Sequence, residues 1–99
     1  MSRDPIIIKT PHEIEIMRKA GAITAGARSV ARAAIADGLT TRQVNREVND
    51  FIIKSRAIPT FKGYGGFPAS TCISINEEVI HGIPGKRVIH NGDIVSIDV

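Results

Sequence analysis

A single cysteine, Cys72, is all the thiol this 99-residue chain has, so no disulfide can form within it and no CxxC zinc site can be built from it alone. Such cysteine usage suits a reducing compartment. Long apolar runs are also missing. Ile6 to Ile8 is too short for the hydrophobic region of a signal peptide, and nothing approaches the roughly 20 residues that span a bilayer. These absences lead us to expect a cytoplasmic protein with no membrane partner. Internal repeats, linkers and low-complexity segments are absent too. That leaves one small domain at most, which buries a smaller fraction of its surface than a domain of about 150 residues.

What is present is the composition of a globular chain, with 42% hydrophobic residues, 23% charged residues and nine glycines. Thirteen Lys and Arg against ten Asp and Glu leave a net charge of +3. The basic residues, among them Arg18, Arg28, Arg32, Arg42, Arg46, Lys54 and Arg56, are scattered rather than clustered, so no specific nucleic-acid partner is expected.

Thr10, Pro11 and Glu13 make a capping box with proline at the first helical position, which starts a helix. Ile14, Met17, Gly21, Thr24, Ala27, Val30, Ala31 and Ala34 then recur at helical spacing until Asp37-Gly38 stops it, and this small-residue stripe suits packing on a sheet. Thr40 and Gln43 repeat the capping box, and Val44, Val48, Phe51 and Ile52 predict a second amphipathic helix that ends before Ile58-Pro59. Beyond Thr60 the period changes to two. Thr71, Ile73 and Ile75 predict a strand, Asn76-Glu77-Glu78 a turn, and Val79 to His81 a return beside that strand. Asn91-Gly92 then turns the chain into a strand over Asp93 to Val99. Two helices followed by antiparallel strands make an α+β fold.

Asp98 stands out because aspartate is depleted in strands. It shares a face with Ile94 and Ser96, opposite Val95, Ile97 and Val99. Either it meets a cation or another partner, or it lies at a frayed strand end in water. One carboxylate cannot make a metal site, and no second acid at a matching spacing is present. His81, ahead of Gly82-Ile83-Pro84, is either presented to a cleft for proton transfer or amide binding, or is a structural histidine. His12 and His90 read as surface residues. The glycine-rich Gly63 to Pro68 segment has no Walker lysine and is a poor phosphate loop. Tyr64 and Phe67 on it either line a small apolar pocket with Cys72 or cap the core. Cys72 has no neighbouring base and is no nucleophile candidate.

The run GYGGFPASTCISINEEVIHGIPG, continued by NGDIVSIDV, resembles type I methionine aminopeptidases, and IKTPHEIEIMRKAG resembles their amino-terminal helix. Metallopeptidases that cleave before proline share such a helix but carry a domain ahead of it, which a helix starting at Thr10 leads us not to expect. The resemblance implies the amino-terminal part of a pita-bread fold over residues 1–99, within a single catalytic domain truncated at Val99. It implies removal of the initiator methionine from nascent polypeptides whose second residue is small. It further implies two divalent metal ions (cobalt, manganese, iron or zinc) and one monovalent cation. Asp98 then matches one metal ligand of five, and His81 a residue that contacts the substrate backbone and stabilises the transition state. Tyr64, Phe67 and Cys72 match the methionine side-chain pocket, and Asn76 and Glu78 match carbonyls that hold the monovalent cation. Gly65 stands where many relatives carry histidine. The other ligands would lie beyond Val99, so the 99 residues alone are expected to be inactive, while the full-length form is expected to be a monomer that meets nascent chains and is compatible with a ribosome contact. The rivals are a non-catalytic binding module on the same fold and a helix-turn-helix around GLTTRQV, Gly38 to Val44. A salt-dependent shift of duplex DNA without metal affinity would mark the latter.

Overall fold

The computed structural model describes residues 4–99. Helix α1 spans Pro11–Ala34 and helix α2 spans Thr41–Lys54. Both begin at the expected caps. The Thr10 hydroxyl accepts the Glu13 amide at 3.2 Å while the Glu13 carboxylate accepts the Thr10 amide at 2.9 Å. Thr40 and Gln43 repeat this pair at 3.2 and 2.8 Å. Each box satisfies two amides that a helix start leaves without intrahelical partners.

The small-residue stripe of α1 is buried only in its second half. Ala27 and Ala31 are buried, whereas Ile14, Met17, Gly21 and Thr24 are exposed. The stripe meets helix α2 there, where the spacing had suggested a sheet. Gly26 lies against the Phe51 ring of α2, where a Cβ would come within 2.6 Å of the ring. Helix α2 contributes Val44, Val48 and Ile52 to the same core, with Ile73, Ile75 and Ile89 from the rest of the chain.

A two-stranded antiparallel ribbon follows, β1 over Cys72–Ile75 and β2 over Val95–Asp98. Cys72 pairs with Asp98, Ile73 with Ile97, Ser74 with Ser96 and Ile75 with Val95. Alternation therefore sends Ile73, Ile75, Val95 and Ile97 to the core and sets Cys72, Ser74, Ser96 and Asp98 on the other face. That division of β2 is the one its sequence pattern predicted.

Residues 79–81 do not form the predicted return strand. His81 adopts a left-handed conformation, with φ 56°, which cannot continue a ladder. The chain rejoins β1 only at Gly82, whose carbonyl accepts the Ile73 amide at 2.8 Å. The linker between the helices has a partner instead: Gly38 donates to the Ile89 carbonyl at 2.8 Å, Ile89 to Leu39 at 2.7 Å and Thr41 to Arg87 at 3.0 Å.

The turn ahead of β2 is held by Asp93, which accepts the His90 amide at 2.8 Å and the Asn76 side-chain amide at 3.0 Å. These bonds, the His90 amide first, hold its carboxyl below the ordinary value of 3.8. A lowered carboxyl pKa stabilises the fold above that ordinary value and loses its contribution as the pH falls through the folded one. Acidification is thus expected to release this turn. A pH series of amide NMR spectra should show His90 and Asn76 signals moving together with Asp93 protonation, and signals that stay fixed would refute the linkage.

Candidate active site

Beneath the ribbon's polar face lies a cavity of about 600 Å³, lined by Phe61, Tyr64, Gly65, Gly66, Phe67, Pro68, Cys72, His81, Ile83 and Asp98. Its volume is within the usual range for small-molecule sites, roughly 300 to 1,000 Å³. A single turn of 3-10 helix, Tyr64–Gly66, builds one wall. It is anchored because the Gly63 amide donates to the Phe67 carbonyl at 2.7 Å, closing the glycine-rich segment on itself. Cys72 is buried in the wall, while Tyr64, His81 and Asp98 are exposed on it.

The ribbon's register explains why Asp98 and Cys72 belong together. Paired residues of an antiparallel ladder project on the same side, about 5 Å apart. Burial, and then the nearby Asp98 carboxylate, push the Cys72 thiol up from its ordinary value. Cys72 is therefore a neutral apolar wall element rather than a nucleophile, as its sequence surroundings suggested. His81 and Asp98 also share a smaller recess of about 130 Å³ with Ser74, Val79, Ile80 and Ser96. The larger cavity can take an apolar side chain among its aromatic residues, and it offers an imidazole and a carboxylate to the polar end of the same ligand.

Five of the residues singled out in the sequence, Tyr64, Phe67, Cys72, His81 and Asp98, thus converge on one cavity. Asn76 and Glu78 lie outside it, on the turn after β1. Asn76 takes a left-handed conformation there with φ 53°, and the Glu78 carboxylate accepts the Ile75 amide at 3.0 Å. Phe61, Pro68 and Ile83 are cavity residues that the sequence reading missed, since apolar character alone does not distinguish them from core residues. Also missed was Asn45 of α2. Its side-chain oxygen accepts the Ser70 amide at 3.1 Å, the Thr71 amide at 3.0 Å and the Thr71 hydroxyl at 2.7 Å, tying the loop that precedes β1 to the helix.

Among the described residues Asp98 is the sole carboxylate lining the cavity, and no three His, Cys, Asp or Glu side chains are grouped to hold a metal ion. The residues present therefore supply one hard oxygen donor and do not complete a metal centre. No helix among the described residues is long and apolar enough to cross a membrane.

The model for metallopeptidase family M24 matches residues 15–99. The chain is 58% identical over 94 residues to a methionine aminopeptidase of Clostridium acetobutylicum, a match covering 94% of this chain and 38% of that protein. It is 50% identical over 94 residues to methionine aminopeptidase 1 of Bacillus subtilis, covering 95% and 38%. Among solved structures it is similar to methionine aminopeptidase from Thermotoga maritima, with a TM-score of 0.87, 49% identity and coverage of 94% and 38%. Against that from Rickettsia prowazekii the TM-score is 0.91 at 39% identity, covering 95% and 38%. The chain spans about 38% of the length of these curated relatives.

Proposed function

The chain belongs to metallopeptidase family M24, and on that premise we propose that it is the amino-terminal part of the single catalytic domain of a methionine aminopeptidase. Its helices and ribbon are the amino-terminal part of that family's pita-bread fold, and divalent metal use goes with the family. The substrates proposed are nascent polypeptides whose initiator methionine precedes a small residue. A cytoplasmic location, a monomeric full-length form and a ribosome contact accompany this reading.

The observation that carries it is the convergence of an aromatic bowl, an imidazole and a carboxylate on one cavity. Phe67, Cys72 and the rim residue Tyr64 surround the methionine side chain, which an unbranched, polarizable thioether fits well. His81 donates a hydrogen bond to the substrate backbone and to the charge that develops on it. Asp98 supplies one ligand to a pair of divalent ions, cobalt, manganese, iron or zinc, whose other ligands come from outside these 99 residues. When bound, such ions supply Lewis acidity at the scissile carbonyl. The carbonyls of Asn76 and Glu78 are the proposed seat of a monovalent cation.

The full-length protein is expected to release methionine from methionyl-alanyl-serine when a divalent ion is added and to stop when a chelator removes it. His81→Ala should lower kcat roughly a hundredfold, the usual cost of one lost donor to a developing oxyanion. Asp98→Asn should weaken metal affinity, and the 99 residues alone should release no methionine. Absence of release with all four metals would sink the proposal, as would full activity of Asp98→Asn.

A further inference from the structure

We propose that Ser74 is a positioning residue that holds His81 in the cavity by binding the amide of Gly82. The kinetic part of this inference rests on the role proposed for His81 above, while its structural part stands alone. His81 sits at φ 56°, a conformation that a residue with a Cβ keeps only when its surroundings impose it. The constraint comes from the residue after it. The Gly82 amide donates to Ser74 Oγ at 3.1 Å, and the Gly82 carbonyl accepts the Ile73 amide at 2.8 Å. The two residues directly before His81 are exposed, Val79 to 85% and Ile80 to 68%, and the chain is tied to β1 on that side only at Glu78.

The two bonds differ in kind. The Ile73 bond is between main-chain groups, so a change of the side chain at position 74 removes neither of its partners. The Ser74 bond comes from a side chain that lines the same recess as His81 and Asp98 but not the larger cavity. Ser74 is 3% exposed on the ribbon's polar face, and the group its buried oxygen meets is the Gly82 amide. Removing the hydroxyl leaves the buried Gly82 amide without its acceptor. The chain relieves this by lifting Gly82 toward water, which frees His81 from the left-handed region and swings its imidazole out of the cavity.

The test compares Ser74→Ala with Ser74→Thr in the full-length protein, by crystal structure and by kinetics on methionyl-alanyl-serine with added manganese. In Ser74→Ala, His81 should leave the left-handed region. The rate constant kcat should fall about tenfold, the factor one net hydrogen bond supplies, with KM little changed. Ser74→Thr keeps the hydroxyl and should restore both the His81 conformation and kcat. Should Ser74→Ala fail to fold, Ser74→Cys, with a weaker acceptor of similar size, takes its place with the same expectations. An unmoved His81 in the variant lacking the hydroxyl overturns the inference, and so does a Ser74→Thr that behaves like Ser74→Ala. If the unmutated protein releases no methionine, the aminopeptidase reading fails by itself, and the His81 conformation in the variants still decides the role of Ser74.

Discussion

Gly82→Ala is expected to destabilise the fold by roughly 3 kcal/mol or more, and to remove activity from the protein that still folds. A Cβ at this position would overlap the Ile73 carbonyl oxygen and lie 2.7 Å from the Ile73 carbonyl carbon and 3.0 Å from Ser74 Cα. All three are backbone atoms of a buried strand, so no side-chain rotation can make room. Gly82 must move instead. In moving it breaks the bond from the Ile73 amide and the bond to Ser74, and it carries His81 away from the cavity wall. Thermal unfolding of the purified variant reads the first effect, and methionine release measured well below its midpoint reads the second. A Gly82→Ala protein with unchanged midpoint and unchanged kcat would show that this close approach does not control the His81 loop.

Asn45→Ala should cost about 3 kcal/mol, because one oxygen there serves three donors and both residues that carry them are buried. Ser70 is 3% exposed and Thr71 fully buried, so water cannot readily replace the lost acceptor. Three donors facing one oxygen also make an informative control available. Asn45→Asp keeps an oxygen in the same place, and a carboxylate accepts hydrogen bonds from amides and hydroxyls alike, so this variant should lose far less than the alanine. Urea unfolding of the two variants side by side separates the cases. Equal losses would mean that the oxygen's three bonds are not what stabilises the loop ahead of β1. Since Cys72 directly follows that loop, the alanine variant should also weaken substrate binding more than it slows turnover.

Much of the fold was legible because its signals are local. Each capping box needs only four consecutive positions, Thr10 to Glu13 and Thr40 to Gln43, and the alternation of Val95 and Ile97 with Ser96 and Asp98 needs no more. The residues from Val79 to His81 were misread for the opposite reason. Their apolar character suggests a strand, but the backbone of His81 is set by where Gly82 touches Ile73, nine positions earlier, and no periodicity records that contact. Asn45 was illegible in the same way. It reads as the polar flank of an amphipathic helix, while its partners lie 25 and 26 residues further along. In α1, spacing found the apolar stripe but could not say how far a neighbouring helix would reach along it. The cavity divides similarly. The residues themselves raised Cys72 and His81 as candidates and the resemblance of CISINEEVIHGIP gave each a role, whereas Phe61 joins them only because the chain folds back.

Helix α1 has 24 residues and α2 has 14, so at 1.5 Å per residue one runs about 36 Å and the other about 21 Å. The surplus is a cantilever: from Pro11 to Ala22 every residue except Glu13 is exposed, and burial begins in earnest only where Gly26 and Ala27 meet α2. An isolated stretch of that length is marginal as a helix in water. Its first turns depend on the Thr10–Glu13 clasp and on propagation backward from the packed half, so within these 99 residues α1 should behave as two segments joined end to end. The packed one should melt with the core, and the other should fray by its own helix–coil equilibrium.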